Sequence, residues 1–233
     1  MNSYRKTAII VGVLFIIATA ASILSTPFLG SLDASNYLTS VSANENQVII
    51  GMIFELIAAV SALGTAVTLF PVLKKTIESL ALGYVALRLI ENIFYIVGAL
   101  SLPIILTVSQ GYVAGASNAS YYQPLGALLL ALHDWSIWMG TLIFFGLGSL
   151  TLNYLLYQSK LVPRFLSVWG LIGAALVLLF GLLSLFILTT GFNIFTILAV
   201  PILVQEMVFA VWLIVKGFNP SAIASLSAKT DTN

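Results

Sequence analysis

Residues 80–108 read LALGYVALRLIENIFYIVGALSLPIILTV. The run is long enough, at 1.5 Å of rise per residue, to cross a hydrocarbon core of about 30 Å, which takes roughly 20 apolar residues. Yet it carries Arg88 and Glu91 in its interior. Tyr84, Arg88, Glu91, Tyr95 and Gly98 follow one another at steps of four, three, four and three. That spacing sets them on one helical stripe, and the stripe is polar. A membrane-spanning helix with a polar stripe must turn it toward protein, so this segment implies a bundle around it.

Five further stretches have the same character, near residues 8–25, 48–70, 125–156, 165–189 and 194–215. The chain as a whole is 60% hydrophobic and only 7% charged, against about 25% charged residues in soluble domains. The expected fold is therefore all-α: an integral membrane bundle of six transmembrane helices. Residues 1–218 are read as one membrane-embedded domain and 219–233 as a short cytoplasmic tail expected to be disordered. The fourth stretch would be close to 48 Å long as a straight helix. It is expected to tilt, protrude or bend at one of Gly140, Gly146 and Gly148. The start of the chain, Arg5-Lys6 followed by apolar residues and Ala18-Thr19-Ala20, mimics a secretory signal. Its apolar run continues to Leu24, so it is read as the first crossing.

An even number of crossings puts both ends on one side. The connections and ends on that side hold Arg5, Lys6, Lys74, Lys75, Lys160, Arg164, Lys216 and Lys229, which is every Lys and Arg except Arg88. The opposite segments, 26–47, 109–124 and 190–193, hold none. The positive-inside rule places both termini in the cytoplasm. In the first opposite segment, Asp33 is expected to cap a short helix whose Tyr37, Leu38 and Val41 lie on the membrane surface. The second contains the sequon Asn118-Ala119-Ser120, a pattern common by chance.

Six ionisable residues fall inside the apolar runs: Glu55, Arg88, Glu91, His133, Asp134 and Glu206. A charge at that depth costs at least about 2.5 kcal/mol on insertion scales unless it is paired, hydrated or neutralised. From helix rise, Glu55 lies about 10 Å below the outer boundary, Arg88 and Glu91 about 12 and 16 Å from the inner one, and Asp134 and Glu206 roughly 14–18 Å from the outer. Overlapping depths predict one shared polar cluster, supported by Tyr84, Tyr95 and Gln205, with Asp134 facing inward and His133 turned to its edge. Small residues beside Glu55, namely Gly51, Ala58, Ala59 and Ala62, allow close packing. Pro201 precedes Gln205 and Glu206 and can free a backbone carbonyl near them. Four carboxylates face one arginine and one histidine. Burial and like neighbours favour the neutral acid, so Glu206 is expected to hold a proton at neutral pH unless a cation is bound.

Several chemistries are excluded. There is no cysteine and a single histidine, which removes thiolate sites and any centre needing two imidazoles. No HExxH, Gly-x-Ser-x-Gly, phosphate-binding loop or calcium loop occurs. No metal site and no cofactor are implied, and the basic residues are too scattered for nucleic acid. Membrane lipid is the expected partner, with a cation or small solute as the ligand of the polar cluster, and the oligomeric state is left open.

The phrases RKTAIIVGVLFIIAT, TLFPVLKK, LALGYVALRLIENIF, LVPRFLSVWGLIGA and PILVQEMVFAVWLIVKGF, in that order from about Tyr4 to Phe218, resemble the bacterial membrane family catalogued as domain of unknown function 4386. The resemblance implies a multi-pass helical protein of the bacterial cytoplasmic membrane. It supplies no activity and no catalytic residues, although Arg88, Glu91 and Glu206 lie within the shared phrases. Three function classes follow from the residues: cation- or proton-coupled transport, a non-catalytic accessory or sensor protein, and an intramembrane lipid-modifying enzyme. Transport draws on midplane carboxylates and on the matched positions of Glu91-x-x-Phe94 and Glu206-x-x-Phe209 in the third and sixth runs.

Overall fold

The computed structural model describes residues 3–115, 119–187 and 192–230. The described residues are predominantly helical, with no strand among them. Six spans are long and apolar enough to cross a membrane. They are α1 (Ser3–Phe28), α3 (Glu45–Leu73), α4 (Glu78–Val113), a composite fourth span, α7 (Arg164–Ile187) and α8 (Phe192–Val215). A short helix, α2 (Tyr37–Ala43), lies between the first two spans. The composite span consists of α5 (Ala119–Trp138), a π-helical segment (Met139–Phe144) and α6 (Phe145–Ser159). The protein is thus an all-α, multi-pass membrane bundle. Helix is the form these sequences can take in lipid, because it satisfies every backbone N–H and C=O within the segment.

Each span packs on its neighbour in the chain, and α8 returns to α1, so the six close into a ring. Large apolar side chains such as Ile23, Val60, Leu82, Leu100, Leu128 and Phe186 are exposed on its outside, where lipid is their solvent. Small residues lie at the crossings. A Cβ on Gly12 would stand 2.6 Å from the Ala210 carbonyl oxygen, and one on Gly173 would stand 2.9 Å from the Ile202 nitrogen, so α8 approaches both α1 and α7 backbone to backbone.

The π segment interrupts the regular α-helix of the fourth span, and it contains Gly140. Gly146 and Gly148 lie in regular helix after it. Two other expectations are corrected. Asp33 ends a short 3-10 turn, Gly30–Asp33, and does not cap α2, whose N-cap residue is Asn36. The apolar side of α2 is turned onto the bundle: Leu38 and Val41 are buried, and Ser109 on α4 donates to the Leu38 carbonyl. The tail is not irregular either. It forms α9 (Pro220–Thr230), started by Asn219, whose side chain accepts from the Ser221 backbone N–H at 3.1 Å. Its Ala222, Ile223 and Leu226 belong to the core to which α1, α3, α4, α6, α7 and α8 all contribute. These residues repeat at helical spacing, which a short sequence rich in Ser and Ala hides. The 190–191 part of the last connection and Asn118 of the sequon lie outside the described residues.

Both ends of the described chain meet at one end of the ring. The Arg5 guanidinium donates to the carbonyls of Leu213, Ile214 and Val215 at 3.1, 2.6 and 3.3 Å. It thereby satisfies the open last turn of α8 and sets a positive charge at the negative end of its dipole. Lys75 Nζ, in the turn after α3, donates to Tyr4 Oη at 2.8 Å and to Ser227 Oγ at 3.4 Å, tying that turn to α1 and α9.

Candidate functional site

The polar stripe of α4 faces the interior of the ring. Tyr84, Arg88, Glu91 and Gly98 are buried, and Tyr95 is half-buried. Arg88 Nη1 donates to both carboxylate oxygens of Glu91 at 3.1 Å. Its other amino group, Nη2, lies 3.5 Å from Glu206 Oε1 on α8. Two aromatic rings sandwich the guanidinium, Tyr84 at 5.7 Å and Phe145 at 5.2 Å to the centroids. Cation–π contacts of this kind gain strength when desolvated, and Arg88 is only 2% exposed. Gly148 on α6 lies beside the arginine, where a Cβ would stand 3.9 Å from Arg88 Nε, at ordinary contact distance. The Asn92 amide donates to the Arg88 carbonyl at 2.8 Å, one turn along the same helix.

Counted as charges, this centre holds one guanidinium and two carboxylates. With both acids ionised it carries a net negative charge, with Glu91 buried and the Glu206 side chain 13% exposed. A proton or a small cation restores balance.

A second centre lies further along the stripe. His133 Nε2 is 3.2 Å from Glu55 Oε1 on α3, and its Nδ1 is 3.1 Å from Asp134 Oδ1. Both ring nitrogens face carboxylate oxygens. An imidazolium donates to both, whereas a neutral ring donates to only one. The other oxygen of Glu55 is buried without a partner. His133 sits at the level of Gly98, whose Cβ would lie 3.6 Å from the His133 carbonyl. Gly98 is seven residues beyond Glu91, about 10 Å along the helix. Tyr95 stands between the two levels, and its hydroxyl is 2.7 Å from Thr141 Oγ1 in the π segment.

The ionisable residues pair in two groups in succession along α4, Arg88 with Glu91 and Glu206, and His133 with Glu55 and Asp134. One expectation about this region is corrected: the roles of His133 and Asp134 are exchanged. The buried face of α5 carries His133 and Ser136, while the Asp134 side chain is 59% exposed. Adjacent helix positions diverge by about 100°, and the face that meets α4 is the one bearing the histidine. Gln205 stays buried but serves neither centre. Its amide donates to Asn153 Oδ1 at 3.3 Å and to the Leu166 carbonyl at 3.1 Å, joining α8 to α6 and α7.

Sequence reasoning passed over Asn92 and Asn153, because an inventory of ionisable groups omits amides. Their signal was present: each is a polar residue inside an apolar run. The close approach at Gly140, whose Cβ would stand 3.4 Å from the Glu91 carbonyl, had no such signal. Among the described residues no group of three His, Asp or Glu side chains is arranged to hold a metal ion. In the second centre the two carboxylates address opposite sides of the imidazole and so do not converge on one point.

No curated protein and no solved structure matches the chain. A family model does, over residues 10–217, and it spans both centres and all six crossings. The chain belongs to the family described as a domain of unknown function, DUF4386.

Proposed function

We propose that this is a proton- or cation-coupled membrane protein whose coupling site is the Arg88–Glu91–Glu206 centre, acting in transport of a small solute across the bacterial cytoplasmic membrane with both termini in the cytoplasm. One observation carries the reading: a single buried guanidinium is shared by carboxylates from two spans on opposite sides of the ring. Such a centre has two electrically distinct states. With a proton or cation on Glu206, its hold on Arg88 weakens and α8 is released from α4. Without one, the ion pair draws α8 in. A charge-linked change in how two spans meet is what coupling requires. Glu91 and Glu206, at matched places in the third and sixth spans, converge on the same arginine. The second centre, ending in the exposed Asp134, supplies polar groups between the coupling site and one end of the bundle. The lopsided basic residues support the orientation.

Proteoliposomes with an imposed pH gradient and an entrapped pH indicator test this reading. Wild-type protein is expected to move protons when a panel of small solutes is offered outside. Glu206→Gln is expected to fold and to lose the dependence on the gradient. A wild-type protein that moves no proton with any solute or alkali cation would contradict it.

A second reading has its own support. Arg88 and Glu91 are each 2% exposed, and aromatic rings close over the guanidinium. A packing lock in an accessory or sensor protein would look the same at rest. In that case Glu206→Gln is silent in every flux assay and alters stability alone.

A further inference from the structure

Away from both centres, the end of the ring where the chain termini meet contains a cavity of about 490 Å³. It lies between the turn that joins α6 to α7 and the junction of α8 with α9. Lys160, Arg164 and Lys216 line it, together with Trp212, Phe218 and Asn219. Among the described residues no acidic side chain lines it. Among the described residues, none of the three cations has a carboxylate within ion-pair distance. Arg164 stacks on Tyr157, 5.1 Å from the ring centroid, and keeps its charge unpaired.

The backbone around the cavity is held in uncommon conformations. Lys160 has φ of 55°, the left-handed region that a non-glycine residue rarely adopts, and Gly217 has φ of 75°. The turn is fixed from the other side of the cavity. The Asn219 backbone N–H donates to the Leu161 carbonyl at 2.8 Å, and the Asn219 amide reaches the Lys160 carbonyl at 3.4 Å. The left-handed turn at Lys160 ends α6, and the positive-φ Gly217 follows α8, so both cationic arms are carried on a built frame.

We propose that this cavity binds the phosphate headgroup of an anionic phospholipid. Three unpaired cations in a concave site call for an anion, and basic pockets at the ends of transmembrane helices are where anionic headgroups bind. Position selects a lipid over a free anion. The cavity lies where α7 begins and α8 ends, the level of the headgroups, and Trp212 on its wall is a residue type that settles there. Next to Arg164 and Lys216 along the outer wall, Phe165 and Val215 are 60% and 62% exposed. They offer a lipid-facing track for the acyl chains of a molecule whose phosphate is held between the cations. The inference does not rest on the coupling reading.

Native mass spectrometry of the full-length protein in detergent, titrated with phosphatidylglycerol or phosphatidylcholine, tests the proposal. Wild-type protein is expected to retain phosphatidylglycerol in preference. The variant K160Q/K216Q is expected to bind it about thirty-fold more weakly, at about 1 kcal/mol for each basic residue removed. The variant K6Q/K74Q, which removes equal charge from the same end but outside the cavity, is expected to bind within a few-fold of wild type. If K160Q/K216Q fails to fold by circular dichroism and gel filtration, R164Q gives the same reading with a smaller loss. Equal affinity for the two lipids, or equal loss in both double variants, would overturn the proposal. So would thermal protection by inorganic phosphate as strong as that given by phosphatidylglycerol, which would assign the cavity to a soluble anion.

Discussion

Arg88 on α4 and Glu206 on α8 meet at 3.5 Å across the interior of a ring in which their helices are not chain neighbours. The other contacts of Arg88 come from its own helix, Glu91 and Tyr84, and from Phe145 on α6. Glu206 is therefore the one acid that joins this arginine to a distant span. What happens at that oxygen decides how firmly α8 is held.

Removing the arginine leaves two acids inside the bundle with no cation between them. Arg88→Met is expected to cost about 3–5 kcal/mol, the range for breaking a buried pair by deleting one partner. Adding Glu206→Gln to that variant is expected to recover part of the loss. Thermal unfolding in detergent, run as a double-mutant cycle, measures both. Additive losses would show that the two side chains are not coupled.

The second centre predicts a contrast between adjacent residues. Asp134→Asn removes a charge that is mostly exposed, and its effect is expected to stay within about 1 kcal/mol. His133→Leu takes away the partner of buried Glu55, and is expected to cost about 1–3 kcal/mol. Unfolding midpoints that rank the two variants the other way would restore the arrangement in which Asp134 faces inward.

Close packing of α1 on α8 gives a test with opposite signs at two glycines. Gly12→Ala pushes a methyl group against the Ala210 carbonyl and is expected to cost about 1–3 kcal/mol. Gly83→Ala, in α4 with nothing within 4 Å of the added carbon, is expected to stabilise by about 0.5–1 kcal/mol. A neutral Gly12→Ala would mean that α1 is not seated on α8 as described.

Orientation has its own measurement. A reporter active only in the cytoplasm, fused after Asn233, is expected to give signal, and one fused after Ser117 is expected to give none. Equal signal from the two fusions would rule out an arrangement with both termini inside.

The six spans were legible because lipid imposes a length and a composition that no soluble segment mimics. The stripe from Tyr84 to Gly98 was legible for a related reason: in an apolar helix, each polar residue marks the face turned to protein. Which face of α5 meets α4 was not legible. His133 and Asp134 are neighbours, and either could have been buried on periodicity alone; the contact at Gly98 and the π segment after Trp138 fix the choice. The helix in the tail was missed because its apolar residues are few and gain their value only against the core of the bundle. Depth along the membrane normal could be estimated, but which acid pairs with which base across the spans could not.

The central claim is that the Arg88–Glu91–Glu206 centre is balanced by a proton or cation taken up at Glu206. Infrared spectroscopy of the carboxyl region, on purified protein at pH 7 in cation-depleted buffer with Glu206→Gln as the reference, tests it most directly. The account predicts a protonated-carboxyl band in the wild type that is absent from Glu206→Gln and that disappears on a shift to alkaline pH. Identical carboxyl regions in the two proteins, with Glu206 ionised at pH 7 and no cation bound, would contradict it.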